Sequence, residues 1–77
     1  MTQLKIKLTS ISDVQTFVNA VSRFSGDIDL RSGRYVVDAK SIMGIFSLDL
    51  MQPVEMTIQG DASEELLKSI DRFIVKE

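Results

Sequence analysis

Chemistry in a protein needs groups that donate protons, accept them or attack, and this chain is poor in such groups. Its 77 residues include no His and no Cys. That removes imidazole acid–base catalysis, thiol chemistry, disulfides and the common transition-metal ligand sets. Among its eleven carboxylates two pairs stand out. Asp27 and Asp29 share one side of an alternating run, and Glu64 and Glu65 are adjacent at the start of a helical pattern. Paired carboxylates can do acid–base work or bind calcium. A solvated strand face and a favourable helix start are the expected account of both pairs. Ser10 and Ser12 have no base to activate them, and there is no glycine-rich phosphate loop. No catalytic residue, metal or cofactor is expected, and the chain reads as a non-enzyme.

One serine stands apart. Ser41 opens the helical part of "VVDAKSIMGIFSLDL", a stretch too apolar for a surface loop and with a Gly and two Ser where a core helix would carry Ala or Leu. Ser is among the best N-caps. A phosphoserine there would set close to two negative charges against the positive end of the helix, next to Lys40. Cap and regulatory phosphosite are compatible readings. At about 100° per residue, Ile45 and Leu48 fall on one side of this helix. Ile42, Met43 and Phe46 fall on another, with Leu50 near them. A short helix in a two-layer fold buries one side, so the second group either fills a gap in the core or forms an exposed patch that marks a partner site. Met and Phe suit such a surface.

The remaining elements follow from periodicity. "LKIKL" alternates strictly and predicts a half-buried strand over 4–8. Ile11, Val14, Phe17, Val18, Val21 and Phe24 make the stripe of an amphipathic helix, with Ser10 and Asp13 at its start and Gly26 as its stop. "DIDLRSGRYVVD" predicts a hairpin turning at Ser32-Gly33. "VEMTIQ" predicts a further strand after Pro53. The last helix spans "DASEELLKSIDRFIVKE", capped by Asp61, with Leu66, Leu67, Ile70, Phe73 and Ile74 as its apolar stripe. Strands with a single apolar face need cover on that face only. One domain over 1–77 is expected, an α+β two-layer sandwich in the order β-α-β-β-α-β-α. The net charge of −2 and the lack of a basic cluster argue against nucleic acid as a partner. No apolar stretch suits a leader or a membrane span, and a cytoplasmic location is expected.

At "AKSIMGIFSL" (39–48) the chain resembles the HPr family, the small phosphocarriers of the bacterial sugar phosphotransferase system. It is most similar there to Gram-positive members and to the catabolite-repression branch, whose segment also reads KSIMG, two apolar residues and SL. The element order is the family's too. The resemblance implies an open-faced sandwich: a four-stranded antiparallel sheet in the order 1-4-2-3 with three helices on one face. It implies that Ser41 matches the serine modified by HPr kinase/phosphorylase. It also implies that Ile42, Met43 and Phe46, with Lys40 beside them, match the surface that docks on partner proteins, a catabolite-control transcription regulator among them.

The departure from the family lies upstream. Phosphocarriers accept phosphate from phosphoenolpyruvate, through enzyme I, on a His in a loop like "GLHxRPA". Here the stretch is "LTSISDV" (8–14), shorter and without the His, the Arg or the Pro. A non-catalytic regulatory or adaptor protein that cannot carry phosphohistidine is therefore expected. The alternative is a ligand-sensing ferredoxin-like domain of the ACT type, which shares the order of the first six elements. Such domains usually place glycines between the first strand and helix, and "LTSIS" has none.

Overall fold

Alternation of apolar and polar residues lets a strand face a core and water at once. In the computed structural model, which describes residues 2–76, four such strands pair in one antiparallel sheet. They are β1 (Thr2–Ile6), β2 (Ile28–Ser32), β3 (Tyr35–Asp38) and β4 (Val54–Ile58), ordered β1-β4-β2-β3. Helices α1 (Ile11–Val21), α2 (Ile42–Phe46) and α3 (Glu64–Ile70) complete the expected order, followed by a short 3-10 turn over Asp71–Phe73. The register aligns Leu4, Met56, Leu30 and Val37 in one row across the sheet on the helix side. Lys5, Glu55, Arg31 and Val36 form a row on the open side. Val14, Phe17, Val18 and Val21 of α1, Ile45 and Leu48 from the α2 segment, and Leu66, Ile70 and Phe73 fill the single core between the layers. Phe17 and Phe73 meet edge to face at 6.0 Å. No helix among the described residues is long and apolar enough to cross a membrane.

Several local expectations shift for identifiable reasons. β1 covers Thr2–Ile6 rather than 4–8. Leu8 is still buried, but beyond Ile6 the backbone turns from β4 to the C-terminal segment, Lys7 N–H donating to Phe73 C=O at 2.8 Å. The last helix stops at Ile70, and Ile74 forms a bridge with Ile6. The β-branched pair Ile74-Val75 favours extended backbone, and Val75 N–H donates to Lys5 C=O at 2.8 Å. Glu77, included in the expected helix, lies outside the described residues. Gly26 is not the stop of α1, which ends at Val21 with Ser22 as cap. A Cβ at Gly26 would stand 2.5 Å from Cε2 of Phe24, so the glycine makes room for that ring. The hairpin loop is Gly33-Arg34, one residue later than expected. Gly33 has φ +59° and Arg34 keeps a negative φ, the pattern of a tight turn with glycine first. Ile11 is 66% exposed rather than part of the core stripe, because it occupies the first helical position, ahead of the residues that face the sheet.

The cap of α3 is Ser63, not Asp61: Ser63 Oγ accepts from Leu66 N–H at 3.1 Å. Ser63→Ala should lower stability by about 1 kcal/mol, whereas Asp61→Ala should change it by less than about 0.5 kcal/mol. Urea melts of the two variants measure the difference.

Candidate functional site

α2 has five residues, too few to hold together as an isolated helix. Contacts at both ends fix it. Ser41, extended at φ −106° and ψ 108°, accepts the Gly44 N–H on its Oγ at 3.1 Å, while its carbonyl accepts Ile45 N–H at 3.0 Å. Gly44 makes this turn fit. A Cβ there would stand 3.2 Å from both Ser41 Oγ and Val37 Cβ, so the helix approaches its own cap and β3 more closely than Ala comfortably permits. Ser47 closes the far end, its hydroxyl donating to Gly44 C=O at 2.5 Å. The Gly and the two Ser that look out of place in the sequence are therefore the parts that seat this helix.

Ile45 is fully buried and Leu48 nearly so, and they anchor the inward side. On the outward side Met43 is 80% exposed, Phe46 43% and Ile42 37%. Leu50, expected near them, is half-buried against the core. Met51 is 84% exposed and adds an apolar residue to which the helical angles do not point, because it lies in the linker to β4. Lys7, expected on a solvent face, donates from Nζ to Leu50 C=O at 2.9 Å and to Met51 C=O, tying that linker to the end of β1. Ser41 is itself half-buried.

Lys40 differs from its expected role beside a phosphate. Its Nζ donates to Phe24 C=O at 2.6 Å and Gly26 C=O at 2.9 Å, which commits two of its three donors to the turn after α1. Its backbone N–H donates to Asp38 Oδ1 at 2.9 Å. Lys40 thus fastens the entry of α2 to the turn after α1.

In the upstream loop Ser10 caps α1 by accepting Asp13 N–H at 3.0 Å. Asp13 Oδ2 reaches back to accept Thr9 N–H at 3.1 Å and the Thr9 hydroxyl at 2.9 Å. This is a variant of the capping box, with Asp in place of the usual Glu and its carboxylate reaching Thr9, one residue before the cap. The Thr9 backbone N–H, then its hydroxyl, hold the Asp13 carboxyl below its ordinary value of 3.8, and Arg72 adds to the effect. Lys7, Thr9, Asp13, Arg72 and Phe73 line an open cleft here of about 310 Å³, with the Arg72 guanidinium 4.8 Å from the centre of the Phe73 ring. The carboxylate pairs singled out in the sequence stand apart from both places. Asp29 lies opposite Asp38 on the open face, and Glu64 and Glu65 occupy the first turn of α3.

Two outcomes follow. Met43→Ala and Phe46→Ala should each cost less than about 1 kcal/mol, whereas Ile45→Ala should cost about 2–4 kcal/mol, as denaturant melts will measure. Asp13 is depressed in the folded state, so its contribution is present above the unfolded value and is lost as pH falls through the folded one. The urea midpoint should therefore drop on acidification below about pH 4, and Asp13→Asn should remove part of that drop.

Comparison with known proteins agrees with this geometry. Residues 13–76 match the family model described as "PTS HPr component phosphorylation site". The match begins at Asp13, just past the Thr9–Ser12 segment. The chain is 31% identical to the HPr-like protein Crh of Bacillus subtilis (strain 168) over an 84-residue alignment that covers 100% of this chain and 99% of that protein. Among solved structures, it is similar to HPr-C-His from Thermoanaerobacter tengcongensis, with a TM-score of 0.76 at 32% identity, covering 94% of this chain and 89% of that one. It is also similar to the phosphocarrier protein HPr from Bacillus anthracis str. Ames, with a TM-score of 0.70 at 26% identity, covering 96% of each. The ACT-type alternative falls with these matches. The family match over residues 13–76, the similarity to an HPr-like protein over the full chain and the shared fold show that the chain belongs to the HPr family of the phosphotransferase system.

Proposed function

We propose that this protein is a non-catalytic regulatory or adaptor member of its family, which binds a protein partner through α2 and does not carry phosphohistidine. The observation that carries the reading is the outward side of α2: Ile42, Met43 and Phe46 face solvent on a helix seated by the core. Exposed, adaptable apolar side chains on a rigid element are what a docking surface requires. Lys40 holds the entry to this surface and has one N–H donor left for a partner.

The carrier role needs an imidazole nitrogen as nucleophile, and the sequence has none. The loop in question is also built for another purpose. Its amide and hydroxyl donors at Thr9 are satisfied by Asp13, whose carboxylate would repel a phosphoryl group. Ser41 is the modifiable position. Its Oγ would attack the γ-phosphorus of ATP, passing its proton to a base of the kinase and releasing ADP. The phosphate would then introduce charge at the margin of the apolar surface, a change able to switch partners. The partners that family membership suggests are HPr kinase/phosphorylase and a catabolite-control transcription regulator.

Incubation with phosphoenolpyruvate and enzyme I should yield no acid-labile phosphate. Incubation with HPr kinase/phosphorylase and ATP should add one phosphate, lost in Ser41→Ala, as intact-mass spectrometry will read. An acid-labile adduct would overturn the loss of carrier function. No addition under conditions that fully modify a His-bearing HPr would leave Ser41 as a helix cap alone.

A further inference from the structure

The two edges of the sheet are finished differently. At the far end of β1 the segment after α3 supplies a neighbour, with Lys7 N–H on Phe73 C=O, Val75 N–H on Lys5 C=O, and Ile6 facing Ile74. β3, the other edge, has no such neighbour among the described residues. Ser32 and Tyr35 close the hairpin, and Ala39 N–H donates to Ile28 C=O at 2.9 Å. The alternation of an antiparallel ladder therefore turns the N–H and C=O of Val36, and the N–H of Asp38, away from β2. Tyr35 is 68% exposed and Val36 59%. An uncovered edge with large apolar residues is a template for another strand.

Charge selects the occupant. Asp38 lies directly across from Asp29 on the open face, and like charges in that relation destabilise a sheet. The ion pair found among the described residues joins Lys76 to Asp71, which leaves Asp29, Asp38 and the exposed Arg34 without one. With the last loop residue, the edge reads Arg34-Tyr35-Val36-Val37-Asp38, a cation at the hairpin end, an anion at the other and apolar residues between. Paired with itself antiparallel about a dyad at Val36, it sets Arg34 of each copy opposite Asp38 of the other. Tyr35 then faces Val37 on the helix side, Val36 faces its own copy on the open side, and the outward-turned groups of Val36 bond reciprocally. Strand parity is kept, so both sheets present the same faces.

We propose that β3 binds β3 of a second copy of this chain in this register, joining two sheets across an isologous two-fold contact. The incoming Arg34 supplies the counter-charge that the Asp29–Asp38 pair lacks within one chain. The edge is short, so the dimer is weak and concentration-dependent. It uses a different element from the α2 surface and stands independently of the function proposed above.

Sedimentation equilibrium from about 10 μM to about 1 mM should show reversible dimerisation that weakens as salt screens the Arg34–Asp38 pairs. Val36→Lys and Arg34→Glu should each weaken it on the order of tenfold or more, and Met43→Ala should leave it unchanged. Circular dichroism checks that the variants fold. Amide hydrogen exchange on the unaltered protein gives a second reading, with protection of the Val36 and Asp38 N–H groups rising with concentration. A protein monomeric over the whole range would overturn the proposal, as would a dimer in which those amides stay unprotected or which both substitutions leave intact.

Discussion

The placement of the candidate surface depends on one close approach, that of α2 to β3 at Gly44 and Val37. Only a hydrogen stands where Gly44 would otherwise carry a Cβ, and that position is bounded at 3.2 Å by Val37 Cβ and Ser41 Oγ. A five-residue helix has almost no stability of its own. Its orientation is therefore decided by how its inward side fits. With Gly44 against the strand and Ile45 and Leu48 in the core, the rotation of the helix is set, and Ile42, Met43 and Phe46 have only the outward side left. The exposed apolar residues follow from the packing of the buried ones.

The α2 segment and the loop before α1 are built in different ways. In the α2 segment the Gly and the two Ser each have structural work to do. Ser41 caps the helix, Gly44 allows the close approach, and Ser47 closes the last turn. Upstream, Ser10, Thr9 and Asp13 close α1 with side chains of the chain itself. An end stabilised from within gains a well-defined helix start and loses free donors for an external anion. The outward side of α2 and the loop before α1 sit on different elements, so residues can change in one without disturbing the other.

Periodic features are legible in the sequence; features set by tertiary pairing are not. The alternating strands and the stripe of α1 can be read directly, as can the two sides of α2, because burial imposes a repeat of two or about 3.6 residues. Ile11 breaks the pattern. It continues the helical stripe in sequence, but it is the first residue of α1 and has no sheet beneath it. The end of α3 is illegible for a related reason. Phe73 and Ile74 fit a helical stripe, yet a 3-10 turn carries Phe73 to Phe17 and Ile74 to β1, contacts that no local pattern encodes. Asp61 and Ser63 are both good caps by type, and only the backbone chooses between them. The long-range bonds of Lys7 and Lys40 to backbone carbonyls leave no periodic trace at all.

If the proposed function holds, partners meet this protein on the outward side of α2. Amide chemical-shift mapping tests it most directly, with the isotope-labelled protein titrated with unlabelled HPr kinase/phosphorylase. Perturbations should concentrate on Ser41 to Ser47 and extend to Met51, while the amides of Thr9 to Asp13 stay where they are. Perturbations centred on Thr9 to Asp13 and Arg72, with α2 unmoved, would contradict it.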